Sequence, residues 1–324
     1  MAAIIDSSND RENMAYIGKV PWHGLGNAMQ DGMDVDQWRV EAGLDWAVNR
    51  SSVKYAGDDG VTYEIPDQHV LYRDDTKANF GVVSDRYKIV QPAEVIEFYR
   101  DLTETYGFEM ETAGSLDGGK RIWALARTGK SMRVKGQDQV DGYLLLATSY
   151  DRSIATRAAF TSVRVVCNNT LSLAYGNMSD FISVRHSANF NTANVKRDLN
   201  IYGDNFSTFE EDIRMLSDVK IKRSEATKFL MELMAGTSDI NRVTTRKANQ
   251  IAEVFKLYDG GGMGSGFASA KNTPWGLVNA VTEYVDHHAQ SHSANNRLRD
   301  AWFGRGDKLK TDAMKSALKI ANAA

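Results

Sequence analysis

The sequence predicts an α+β fold: a strand-rich antiparallel sheet core in the first half with helices packed on it, followed by a helical C-terminal layer. Three observations carry this expectation. Short apolar runs broken by turn residues cover 45–87 and 108–166, and apolar side chains recur at three- and four-residue steps from residue 194 onward. The 324-residue chain is also 42% hydrophobic and 25% charged, a balance that supports a normal core. The expected organisation is a flexible N-terminus over 1–13, a strand-rich core over 14–190 and a helical layer over 191–324, packed as one compact unit.

Each element follows from a local signal. Asp34 is placed to cap a short helix that Gly43 stops. Asp58-Asp59-Gly60 is a hairpin turn, and His69-Val70-Leu71-Tyr72 and Phe80-Gly81-Val82-Val83 are apolar strand runs. Pro92 opens an amphipathic helix in which Val95, Phe98, Tyr99, Leu102 and Tyr106 share a face, with Gly107 at its end. Strands are expected over 108–113, 120–127 and 142–149, with Asp117-Gly118-Gly119 as the turn between the first two, and a β-leaning run covers 154–166.

Beyond residue 190 the period changes. Leu199, Tyr202, Phe206, Phe209, Ile213 and Leu216 predict one helix over 194–216. Ser224 is read as the cap of a helix to Met234, and another helix covers 241–257. The cluster from Asp259 to Gly266 is a loop, because so many glycines lose too much entropy in a regular element. Thr273-Pro274 opens a helix to about His288, and a last helix covers 308–323.

Composition narrows the chemistry. A single cysteine, Cys167, excludes an internal disulfide framework and a cysteine-rich zinc site. No apolar run reaches the roughly 18 residues of a membrane span and no leader pattern is evident, so a cytoplasmic protein without membrane contact is expected. The net charge of −3 says little about partners, because the local arrangement of cations decides nucleic-acid binding.

That arrangement is uneven. Lys120, Arg121, Arg127, Lys130, Arg133, Lys135, Arg152, Arg157 and Arg164 are opposed only by Asp138, Asp141 and Asp151 over the same stretch. In a strand, Arg121, Trp123, Leu125 and Arg127 share one face, and Ile122, Ala124 and Ala126 share the other. Cations interleaved with an aromatic ring suit a single strand, neutralising phosphates while a base stacks on the ring. The expected DNA-binding residues are therefore Arg121, Trp123, Arg127, Lys130, Arg133, Arg152, Arg157 and Arg164. The competing reading buries Trp123 and Leu125 and lets the arginines snorkel from the strand ends. The C-terminal cations Arg297, Arg299, Arg305, Lys308, Lys310, Lys315 and Lys319 read as a solvated helix face.

Other candidates are weaker. His287, His288 and His292 offer at most two ligands on one face, too few for a metal site, and suit a helix C-terminus instead. His23 has no partner nucleophile in a recognisable elbow, and Cys167 reads as a buried structural thiol. The glycine cluster is followed by Phe267-Ala268 rather than the Gly-Lys-Ser/Thr of a phosphate loop. No catalytic constellation, metal site or cofactor site is recognised, and the expectation is a binding protein rather than an enzyme.

Four segments carry a family resemblance. They are residues 14–29 with the centre Pro21-Trp22-His23-Gly24-Leu25-Gly26; Tyr150-Asp151-Arg152-Ser153 leading to Arg164-Val165-Val166-Cys167-Asn168-Asn169-Thr170-Leu171; Asn272-Thr273-Pro274-Trp275-Gly276-Leu277-Val278-Asn279 and on to His287; and Trp302-Phe303-Gly304. In this order they resemble the phage/plasmid-like protein family catalogued as domain of unknown function 932. The resemblance covers nearly the whole chain and implies a mobile-element protein in a bacterial host cell. A further likeness, to single-strand annealing proteins of the RecT and Red-beta kind, implies a curved sheet backed by helices and rings or filaments on DNA. None of their functional residues can be matched here. The function expected is that of a single-stranded DNA-binding, annealing-type recombination or replication accessory protein, homo-oligomeric. The alternative is a phage accessory protein that binds a host protein, such as a defence-system component, through the turn at 21–25 and the glycine loop at 260–266. An enzyme acting on a small molecule or nucleotide is the third reading.

Overall fold

The computed structural model describes residues 5–21, 24–135, 138–161, 181–201, 205–290 and 305–323. The fold is α+β, with a sheet core and C-terminal helices. The chain divides into two compact units instead of breaking once at residue 190. The first comprises Met1–Gly129, Tyr143–Phe160 and Asp180–Tyr202; the second comprises Lys130–Gly142, Thr161–Ser179 and Gly203–Ala324.

The first unit opens with β1 (Met14–Tyr16) and β2 (Asn27–Ala28), which pair in parallel, followed by α1 (Val35–Glu41). Asp34 caps α1 as expected: its carboxylate accepts from the Gln37 N–H at 2.8 Å, and Gln37 reciprocates on the Asp34 N–H. The strands β3 (Val48–Ala56), β4 (Thr62–Arg73) and β5 (Asn79–Ser84) form a separate three-stranded antiparallel sheet. Gly60 supplies the positive φ of its hairpin turn.

The helix expected from Pro92 divides into α2 (Pro92–Glu97) and α3 (Arg100–Thr105). Between them Phe98 and Tyr99 are fully buried, and the Tyr99 hydroxyl donates to the carbonyls of Ala124 and Leu144. Anchoring that phenol to two strands sets the chain path more strongly than an unbroken helical ladder would.

Then follow β6 (Glu109–Leu116), β7 (Arg121–Val134), β8 (Asp138–Ser149), β9 (Thr156–Thr161) and β10 (Phe181–Val184). The large sheet has seven strands in the order β10-β9-β8-β7-β6-β1-β2, and β7 and β8 extend past the first unit at residues 130–142. The expected strand 120–127 thus continues to Val134. Ile122, Ala124 and Ala126 join Leu144, Leu146, Val95, Phe98 and Tyr99 in one core, the alternation read from the sequence. Phe80 and Tyr150 stack nearby with centroids 5.3 Å apart, and Trp46 packs edge-on against Tyr150. The helix α4 (Thr192–Asp198) adds Val195 and Leu199 to this core.

The expectation of a frayed N-terminus fails from Ile5 onward. Ile5 bridges Leu116, the Asp6 N–H donates to the Ser115 carbonyl at 3.0 Å, and Asp6 and Asn13 are buried. Polar composition misleads there because the polar groups satisfy one another: Asn13 donates to the Asp6 carboxylate at 2.8 Å, and Arg73 is ion-paired to it.

The second unit contains α5 (Asn205–Asp218), α6 (Arg223–Ala235), α7 (Thr245–Lys256), α8 (Pro274–Glu283) and α9 (Arg305–Ala323). The single helix expected over 194–216 is two, α4 and α5; Asn200, at φ +49, stands just past the end of α4. Ser224 lies inside α6, whose first turn is closed by Glu225 accepting from the Lys222 N–H at 2.6 Å. Thr244 and Thr273 cap α7 and α8, the latter directly before Pro274. Both α7 and α8 end in a wide turn, closed by Gly262 N–H to Leu257 and Ala289 N–H to Tyr284.

Candidate nucleic-acid interface

The residues expected to bind DNA divide between the two units. In the first, Arg121 at the start of β7 is buried, its Nε donating to Ser153 Oγ at 2.8 Å and its Nη2 to Asp151 Oδ2 at 3.2 Å. Trp123 is 1% exposed and its Nε1 donates to Thr112 Oγ1 at 3.3 Å. Arg127 is ion-paired at 2.7 Å to Glu111, whose carboxylate is buried. Arg121, Trp123 and Arg127 do share a side of β7, but not as an open cationic face. Trp123 offers no ring surface to a base, and both arginines neutralise protein carboxylates. Arg157 on β9 is half-buried, whereas Arg152 is exposed in a turn at φ +66. Arg164, like His23 and Cys167, lies outside the described residues.

In the second unit the distal part of β7 behaves differently. Lys130, Arg133 and Lys135 are exposed there. Lys135 Nζ stands 3.3 Å from Asp218 Oδ1 at the end of α5. Two residues on, Lys220 is exposed and its Nζ donates to the Lys271 carbonyl at 2.7 Å, while the Ile221 N–H bonds the Asn272 carbonyl at 3.0 Å. These bonds fix the α5–α6 junction against the segment before α8 and bring Lys135, Lys220 and Lys271 together.

The electrostatics record that approach. The Lys220 ammonium is held below the ordinary lysine range, first by desolvation and then by the charge of Lys135; Lys271 adds to this and Asp218 opposes it. Like charges gathered at an exposed surface raise the local positive potential, the property that attracts polyanions. Lys130 and Arg133 are exposed on β7.

Lys220 and Lys271 were missed in the sequence. The run Lys220-Ile221-Lys222-Arg223 was a visible local signal, but Lys271 had none. The glycine loop also answers for itself. The Met263 N–H donates to Glu283 Oε2 at 2.8 Å, so a protein carboxylate stands where a phosphate loop would hold its anion. His288 is exposed, 3.9 Å from Glu283. Among the described residues there is no group of three or more His, Cys, Asp or Glu placed to hold a metal, and no helix long and apolar enough to cross a membrane.

Comparison with known proteins places this chain by family alone. No curated protein and no solved structure matches it. The family model described as Domain of unknown function (DUF932) matches residues 79–302, a span that runs from β5 past α8 and includes every lysine of the cluster. With more than half of its length matched, the chain belongs to the family of domain of unknown function 932.

Proposed function

We propose that this chain binds single-stranded DNA, as an annealing-type recombination or replication accessory protein of a phage or plasmid in the bacterial cytoplasm. The observation that carries the proposal is the exposed cluster of Lys135, Lys220 and Lys271. Lysines contact phosphates as point charges and confer little sequence preference, which suits a protein that must act on any strand. The preference for a single strand, and assembly into a homo-oligomeric ring or filament, rest on the resemblance to single-strand annealing proteins.

Fluorescence anisotropy with a labelled single strand at two salt concentrations, paired with light scattering, tests the proposal. Affinity falls with salt, with a log–log slope of about −0.7 for each phosphate contacted. Binding that ignores salt, or its absence, overturns the nucleic-acid reading. A preference for duplex overturns the single-strand part, and a monomer at every concentration overturns the assembly.

One observation favours a protein partner as the second reading. The β3–β4 hairpin leaves Tyr55, Val61, Tyr63 and Ile65 exposed, with the two tyrosine rings stacked 5.5 Å apart. Photocrosslinking from residue 63 in host cells, with the captured protein then shown to bind the purified chain, tests it.

A further inference from the structure

Resting on the nucleic-acid reading, we propose that the cleft between α6 and α7 is a nucleobase pocket, which takes one unstacked base of the strand held on the lysine cluster. The cleft measures about 500 Å³, within the usual range of small-ligand sites. Thr227 and Met231 of α6 line one wall, and Ile251 and Phe255 of α7 the other. Ile240 closes the end where the chain passes between the helices and is still 65% exposed.

The mouth of the cleft is built from groups on which bases stack. The Arg223 guanidinium lies 4.6 Å from the centre of the Phe255 ring, and Asp259 steers it there through a 3.0 Å ion pair. Aromatic rings and guanidinium planes are the two surfaces that proteins use to hold splayed bases. The Arg223 side chain is 72% exposed, so it can swing off the ring and close over an entering base. Thr227 Oγ1 already donates to the Arg223 carbonyl, which leaves its lone pairs, with the Asp259 carboxylate, to accept from an exocyclic amino group.

Charge argues for a base on a phosphate backbone over any other apolar guest. Arg223 and Lys256 stand on the rim, and Lys222 and Lys220 precede Arg223 in the chain. Lys220 is three residues from Arg223, no more than about 11 Å even if that stretch were extended. A few nucleotides cover this span, so phosphates on the cluster deliver a base to the cleft.

The experiment compares a labelled oligodeoxycytidylate with an abasic strand of equal length, on the full chain and on Phe255→Ala and Phe255→Leu. The wild-type chain prefers the base-bearing strand by roughly 5- to 150-fold. Both variants lose that preference while the salt slope and the abasic affinity stay unchanged. Phe255→Leu keeps the apolar packing and removes only the ring face, so a folding defect in Phe255→Ala does not decide the matter. Equal wild-type affinity for the two strands, or a preference that survives in Phe255→Leu, overturns the pocket and leaves the lysine interface standing. Binding to neither strand overturns the interface reading as well.

Discussion

Lys220 and Arg73 show two opposite uses of a cation. Lys220 stays at the surface among like charges, so its removal costs binding, while its exposed bond to the Lys271 carbonyl contributes only about 1 kcal/mol of stability. Lys220→Ala is expected to weaken single-strand binding uniformly across sequences and to shallow the salt slope by about 0.7, read by anisotropy titrations at several salt concentrations. Arg73 is 2% exposed, ion-paired to Asp6 and Asp75, with its guanidinium 4.5 Å from the Trp46 ring centre. Arg73→Ala leaves the Asp6 carboxylate buried without its cation and is expected to cost about 3–5 kcal/mol in chemical denaturation. Burial alone would raise the Asp6 carboxyl, but bonds from Ser8 and Arg73 outweigh it and hold the group below its ordinary value; Asp75 is shifted the same way. Both pKa values are depressed in the folded chain, so this stabilisation is complete above the unfolded aspartate value of about 3.9. It is lost as pH falls from there through the lower folded values. A thermal melt that does not weaken across that acid range would contradict the assignment. The role of Arg73 was not legible beforehand, because it looks like any strand-end arginine until Asp6, far away in the chain, is brought beside it.

Among the elements, short-range chemistry was read well and long-range pulls were not. The Asp34 capping box, the Thr273-Pro274 helix start and the alternation of β7 depend on neighbours within a few residues. Asp34→Ala is expected to lower stability by about 1 kcal/mol. Gly43→Ala is expected to cost more, since φ there is +63 and an added Cβ would overlap the Asn13 side chain. Denaturant midpoints for the two variants, compared with wild type, check the order. The break between α2 and α3 was not legible, because it follows from Tyr99 reaching two strand carbonyls. Burial of Trp123 was equally ambiguous: alternation says which side of β7 a residue occupies and does not say what covers that side.

For the whole molecule, the division into two units has a direct consequence for dissection. The first unit recruits Asp180–Tyr202, including α4, whose Val195 and Leu199 enter its core and whose Lys196 pairs with Asp101. The second recruits Lys130–Gly142 from the strand-rich half. Cutting at residue 190, where the change in period lies, therefore strips α4 from one unit and the β7–β8 extension from the other. A 1–190 fragment is expected to show no cooperative thermal transition by circular dichroism, and a sharp transition with native-like dispersion in its NMR spectrum would disprove this. The sequence by itself determined the α+β class, the family and most element positions, because periodicity, caps and turn chemistry act over one or two turns of chain. Only the tertiary structure decided which cations are spent on buried carboxylates and which, as at Lys135, Lys220 and Lys271, meet at the surface. That choice depends on distances between residues far apart in the chain, and local patterning carries no record of them.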